Sequence, residues 1–288
     1  MKTVLCLFVR KEYLEETDLH NLEDDLKTYI HEFDHFVVFD ISGVNNRYLE
    51  KFLVKEYQAE YIYNSDQGEA INWRNALIKA NVMHADYVML LEEGFYFEAN
   101  AIAHMKDYIN QNKETPIGVL TPRPLYSIAY FNPVPDAYRY VKGCKLIGTL
   151  INANLYQKSK GFKLEYYQGY VDYEYCLQVR SLKHVIVYLE NEVSRSRNFK
   201  LVEKKILGMR FKMYERDLIY LYYETRNRHY MYDEYKTTEP EFIVKDKTAF
   251  KHEMREIRLS DPKSREKIAM IKAGIRDYQD EKTGKYFS

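Results

Sequence analysis

The sequence predicts an α/β protein: a mostly parallel sheet flanked by helices, with a C-terminal helical appendage. Three observations carry this. Runs rich in β-formers alternate with helix-period segments through the first two-thirds of the chain, the pattern of strand-helix-strand units. Several of those runs are continuously apolar, as strands buried on both faces require. Beyond Asn191 the periodicity turns entirely helical.

Residues 3–9 are a continuous apolar run and predict a buried parallel strand. Residues 14–30 carry Leu19, Leu22, Leu26 and Ile30 at helical spacing. A second strand over 35–40 closes in a turn over 41–46, and a helix through 49–54 leads to a third strand over 60–63. The polar loop 64–68 precedes a helix over 69–82, and the fourth strand lies within 85–94. A helix over 100–109 and a strand over 117–120 follow. Prolines and aromatics over 122–143 predict a loop excursion. Strand character resumes over 146–152, a short helix over 154–160, a turn at Gly161-Phe162, a helix from Tyr170 through Leu182 and a strand over 184–189. Residues 216–235 read as a long amphipathic helix crowded with tyrosine. Asp261-Pro262 reads as the cap of a helix reaching about Ala273.

With 46% hydrophobic residues over 288, the chain can bury a sizeable core, organised as residues 1–195 and 196–288. A formal net charge of +0 argues against a nucleic-acid partner. Cys6, Cys144 and Cys176 lack paired spacing and fit a reducing compartment. The first ten residues hold too short an apolar stretch for a signal peptide, and no run approaches the roughly 20 residues of a spanning helix. A cytoplasmic protein is expected.

Chemistry concentrates at Leu90-Leu91-Glu92-Glu93-Gly94, where an apolar strand ends in two carboxylates and a glycine. Ligands of open α/β sheets bind beyond the carboxyl ends of the strands, so these acids are candidates for a metal or phosphate-handling site. His31-Glu32-Phe33-Asp34-His35 matches a zinc-protease spacing, but His35 runs straight into strand residues and one helix face cannot hold both histidines.

Seven spaced motifs resemble family 2 glycosyltransferases of the GT-A (Rossmann-like) fold, and rhamnosyltransferases and galactofuranosyltransferases in particular. They are Val37-Val38-Phe39-Asp40-Ile41-Ser42, the loop Asn64-Ser65-Asp66-Gln67-Gly68 with the following Asn75, the strand end at Glu92-Glu93, and Ile147-Gly148-Thr149-Leu150 with Lys160-Gly161-Phe162. Tyr170-Val171-Asp172-Tyr173-Glu174, Tyr222-Tyr223-Glu224-Thr225-Arg226-Asn227 and Ile271-Lys272-Ala273-Gly274-Ile275-Arg276-Asp277 complete the series.

The resemblance implies inverting transfer of a sugar from a nucleotide-sugar donor (dTDP-rhamnose, UDP-galactofuranose or another UDP-hexose) to a saccharide or lipid-linked acceptor in cell-surface polysaccharide synthesis. Asp40, Asp66, Gly68 and Asn75 then belong to the nucleotide-sugar site. Asp172 is the general base, with Glu174 the alternative, and Mg2+ or Mn2+ is held by Glu92 and Glu93. The sequence departs from the family in two places. Gly94 stands where the second strand-end acid belongs, and no histidine follows the base in Glu192-Val193-Ser194-Arg195-Ser196-Arg197. Either a metal binds weakly through Glu92 or Glu93, or Arg195 and Arg197 neutralise the diphosphate through their planar forks. The alternative function is a catalytically degenerate binding or partner subunit.

Residues 195–230 hold ten Lys/Arg against four Asp/Glu, and with the tyrosines up to residue 235 they suit a peripheral membrane contact, a homodimer interface or a solvated helix equally. Trp73 is expected to pack. Arg226-Asn227 are expected to tie the C-terminal helices down.

Overall fold

The computed structural model describes residues 1–125, 137–198, 201–206, 209–214 and 217–286. Two compact units emerge, the first made of Met1–Gln67, Asn72–Gly161 and Gln178–Asn198, the second of Gly68–Ile71, Phe162–Leu177 and Phe199–Ser288.

In chain order the first sheet and its helices are β1 (Thr3–Val9), α1 (Glu16–Lys27), β2 (His35–Asp40), α2 (Arg47–Tyr57), β3 (Glu60–Tyr63), α3 (Glu69–Val82), β4 (Tyr87–Glu92) and β5 (Phe95–Phe97). They continue with α4 (Ala101–Gln111), β6 (Ile117–Leu125), β7 (Tyr138–Val141), β8 (Leu150–Asn152), α5 (Ala153–Lys158), α6 (Val171–Ser181) and β9 (Val185–Ser196). The nine-stranded sheet has the order β3-β2-β1-β4-β8-β6-β9-β5, with β7 also on β9. The four strands β3, β2, β1 and β4 pair in parallel. Since β8 is antiparallel to both β4 and β6, and β9 is parallel to β6, only β5, β7 and β8 run against the rest. The sheet is therefore mostly parallel, as expected.

Every residue of β1 is buried, because a central parallel strand is covered on both faces. Leu5, Leu7 and Val9 join Leu19, Leu22 and Leu26 of α1, Leu49 and Leu53 of α2, and Met89 and Leu91 of β4 in one core. At Gly118 of β6 an added Cβ would lie 2.4 Å from Val179 Cγ1, so glycine lets the end of α6 pack against the strand.

Several expectations need correction. The helix over 14–30 ends at Lys27, and Ile30–Glu32 is a separate 3-10 turn; His31 sits in that turn and His35 opens β2, so the zinc spacing is not on one helix. The excursion over 122–143 is partly strand: β6 runs to Leu125 and β7 pairs with β9. Pro122 is tolerated because the β6–β9 register breaks between Pro122 and Arg123. Residues 126–136 of the excursion lie outside the described residues. Beyond Asn191 the chain is not entirely helical. β9 continues to Ser196, and β10 (Leu201–Ile206) pairs antiparallel with β11 (Met209–Tyr214).

In the second unit α7 (Leu218–Tyr235), α8 (Pro240–Ser260) and α9 (Ser264–Gln279) pack together. Arg216, the expected start of the tyrosine helix, lies outside the described residues; Asp217 caps α7 by accepting from Ile219 N at 2.7 Å. Tyr222, Tyr223, Tyr232 and Tyr235 are buried, so much of the tyrosine content is core. Asp261 ends α8 instead of capping α9, and its buried carboxylate pairs with Lys267 Nζ at 2.7 Å.

Candidate functional site

Strand register builds the site. At the carboxyl edge of the parallel strands, Val9 of β1 lies opposite Asp40 of β2, and Phe8 lies opposite Glu92 of β4. Arg10 follows β1 directly and so emerges between the two acids, with strands spaced about 4.8 Å apart. Its Nη1 is 2.5 Å from Asp66 Oδ2, and its Nε is 3.7 Å from Glu92 Oε1. Asp66 also accepts from Asn72 Nδ2 at 2.8 Å, which anchors the 64–68 loop to the start of α3. One guanidinium thus gathers two of the acids singled out in the sequence.

Asp40 is buried, 2% exposed, and fully engaged. Oδ1 accepts from Ser42 N at 3.0 Å and Ser42 Oγ at 2.6 Å, and Oδ2 accepts from Tyr61 Oη at 2.8 Å. Burial and this bond to Asp40 together push the Tyr61 phenol far up. Ser42 Oγ in turn accepts from Asn46 Nδ2, whose Oδ1 receives Tyr13 N.

Glu92 and Glu93 diverge. Glu92 meets Arg10; burial raises its pKa and Arg10 opposes the rise. Glu93, 5% exposed, accepts from Tyr13 Oη at 3.0 Å, and burial again raises its pKa. Gly94 has φ +83, and an added Cβ would stand 3.0 Å from Asn198 Oδ1. The turn into β5 therefore takes glycine where a further acid would carry a left-handed backbone. Among the described residues no group of three or more His, Cys, Asp or Glu could hold a metal ion. The donor set at Glu92 and Glu93 does not fit a divalent cation, which prefers several convergent oxygens.

Each arginine on β9 and just beyond it has an acid. Arg195 Nη2 is 2.6 Å from Glu98 Oε1, and Arg197 Nε is 2.8 Å from Asp25 Oδ1, while Arg197 N donates to Gly94 O at 2.8 Å. Asn75 is half-buried in the middle of α3, and Trp73 packs at 3% exposure. A cavity of about 330 Å³ opens instead at the opposite edge, beside Asp86, Tyr87 and Ile117 where β4 and β6 begin.

The remaining candidates lie in the second unit. Gly68 has φ +88, with the Tyr167 carbonyl 2.6 Å from an added Cβ, and Ala70 N donates to that same carbonyl. Asp172, in the first turn of α6, is 3% exposed and its Oδ1 accepts from Tyr173 N at 2.8 Å. Glu174 is fully buried and accepts from Tyr235 Oη at 2.7 Å. Arg226 and Asn227, also buried, donate to the carbonyls of Tyr166, Gln168, Gly169 and Gly284, fastening the loop that leads into α6.

Sequence reasoning missed Arg10, Tyr13, Tyr61 and Asn72. Arg10 had a legible signal: it is the first polar residue after a buried strand, the position that faces the crevice.

The sequence matches no family model and no curated protein. Solved structures do match, among them a crystal structure of GalNAc-T7 with UDP, GalNAc and Mn2+, at TM-score 0.53 and 9% identity over 68% of this chain. The chain spans 44% of that structure's length. At this identity the likeness shows the fold alone, a mixed α/β sheet flanked by helices in the manner of GT-A glycosyltransferases.

Proposed function

We propose that the protein is a glycosyltransferase that moves a sugar from a nucleoside-diphosphate donor to a saccharide or lipid-linked acceptor in cell-surface polysaccharide synthesis. One observation carries the reading: Asp40, Arg10, Asp66 and Glu92 converge at the carboxyl edge of β2, β1 and β4. In this class of sheet that edge receives ligands. The structural neighbour, which holds UDP, favours a nucleoside-diphosphate donor, with dTDP-rhamnose, UDP-galactofuranose and other UDP-hexoses the candidates.

Direct displacement at the anomeric carbon inverts its configuration and needs a carboxylate to take the acceptor hydroxyl's proton as it attacks. We assign that proton to Asp172. Glu174 is the weaker choice, because its carboxylate is buried against the Tyr235 hydroxyl. Asp40 and the Asp66–Gly68 loop are assigned to the nucleotide, with Asn75 beside them. Arg195 and Arg197 are assigned to the donor as well, with Glu98 and Asp25 orienting their side chains.

Thermal shift with UDP, dTDP and their sugars tests donor binding, since a ligand that binds only the folded chain raises its melting temperature. No shift with any of them refutes the reading. A degenerate binding subunit is the second reading, favoured by Gly94 in place of an acid; ligand-induced stabilisation without donor turnover would select it. No helix among the described residues is long and apolar enough to cross a membrane. A lipid-linked acceptor would instead bring the chain to the membrane surface, and salt-sensitive sedimentation with anionic vesicles tests that contact.

A further inference from the structure

We infer that the Arg10 guanidinium occupies the place of the divalent cation, so that this edge takes a nucleoside diphosphate on a protein cation and needs no metal. The inference rests on the donor-site reading above.

Its basis is geometric. A metal held at the end of β4 would use Glu92 and a neighbouring acid, and the acid that shares a guanidinium with Glu92 is Asp66. Arg10 already contacts both, at 3.7 Å and 2.5 Å. A divalent ion could enter only by displacing a permanently charged group from two carboxylates. The other strand-end positions offer no replacement: Glu93 is buried against Tyr13, and Gly94 holds a left-handed turn. Mg2+ and Mn2+ depend on several oxygen ligands in near-octahedral array, and two carboxylates bridged by a guanidinium cannot supply it.

The same arrangement suits a phosphate. Arg10 is fixed by register at the edge, held from two sides by carboxylates, and its side chain remains 39% exposed, so an anion reaches it from solvent. Charge-assisted bonds from guanidinium to phosphate are among the strong ones, and a preorganised donor loses little on binding. When the glycosidic C–O bond breaks, the electron pair leaves with the diphosphate oxygen, and Arg10 stabilises that charge.

The test uses the full chain and reads metal and nucleotide separately. Mn2+ binding is followed by electron paramagnetic resonance, and UDP and dTDP binding by calorimetry in EDTA and in Mn2+. For the wild type, Mn2+ stays free and nucleotide affinity is the same in both buffers. R10Q, which removes the guanidinium from both acids, binds Mn2+ about tenfold more tightly and nucleotide about tenfold more weakly in EDTA. R10K, which keeps a charge, retains part of the nucleotide affinity and guards against a folding defect in R10Q. Mn2+ uptake by the wild type that E92Q abolishes, with nucleotide binding only when Mn2+ is present, overturns the inference and leaves the donor site standing. No nucleotide binding in either buffer removes the donor site, and the inference with it.

Discussion

The side-chain amide of Asn227 lies 2.9 Å from the carbonyl oxygen of Gly169, and it is shared with the carbonyls of Tyr166 and Gln168 at 2.9 and 2.8 Å. The two N–H donors of one buried side chain are thus shared among three backbone acceptors of the loop that opens α6, the helix of Asp172. Arg226 adds the Tyr166 and Gly284 carbonyls. Unsatisfied buried carbonyls cost about 1–3 kcal/mol each, so this pair holds the loop far more firmly than contact area alone would.

N227D follows from that geometry. The change keeps the shape but replaces a donor with a buried anion facing three carbonyls. A loss of about 3 kcal/mol is expected, read as a melting temperature several degrees lower. Transfer activity should fall with it, because the first turn of α6 loses its anchor. Wild-type melting in N227D would show that the carbonyls are satisfied without it.

The close approach of α7 and α9 gives a second test. A Cβ added at Gly274 would stand 2.6 Å from Tyr222 O and 3.2 Å from Arg226 N, both backbone atoms. Alanine gains about 1 kcal/mol over glycine in a helix interior, but overpacking a rigid contact costs about 1–3 kcal/mol. Backbone cannot rotate away as a side chain can, so the steric cost prevails and G274A melts lower. A melting temperature at or above wild type would mean that the helices separate freely.

Asp25 sets a pH signature. Its carboxyl is 1% exposed, Oδ1 pairs with Arg197, and Oδ2 has no hydrogen-bond partner among the described residues. Burial raises its pKa, with the Arg197 bond only partly offsetting it. A carboxyl whose pKa is raised on folding binds more protons in the folded state, so stability falls as pH rises from the ordinary value near about 3.9 through the raised one. D25N cannot titrate. Its melting temperature should therefore gain on the wild type as the pH rises above the ordinary carboxylate range. A difference that stays constant, or moves the other way, would contradict the assignment.

The parallel half of the sheet was legible because β1, β2 and β4 carry continuous apolar runs and helix 47–57 keeps one amphipathic period. The hairpin was not read, although Met209, Phe211 and Met213 alternate with Arg210 and Lys212. A basic, aromatic setting masked that period. β5 escaped because three residues are too few for any period. At the site, the strand-end acids were legible as residue types. Their partners were not: that Glu92 meets Arg10 while Glu93 meets Tyr13 depends on strand register and on the turn at Gly94, which no local pattern encodes.

The last prediction separates the two acids of α6. Asp172 and Glu174 are two residues apart in the first turn, and both are buried. Their surroundings differ: Glu174 accepts the Tyr235 hydroxyl in the helical core, whereas Asp172 accepts its neighbour's amide. If Asp172 takes the acceptor's proton, D172N should lower kcat by about 10²–10⁴-fold with KM for the donor and the melting temperature near wild type. E174Q preserves an oxygen acceptor for Tyr235, so its effect should fall on melting, with kcat close to wild type. Donor turnover measured with saturating acceptor decides the matter. Full activity in D172N, with loss in E174Q at unchanged melting, would move the base to Glu174.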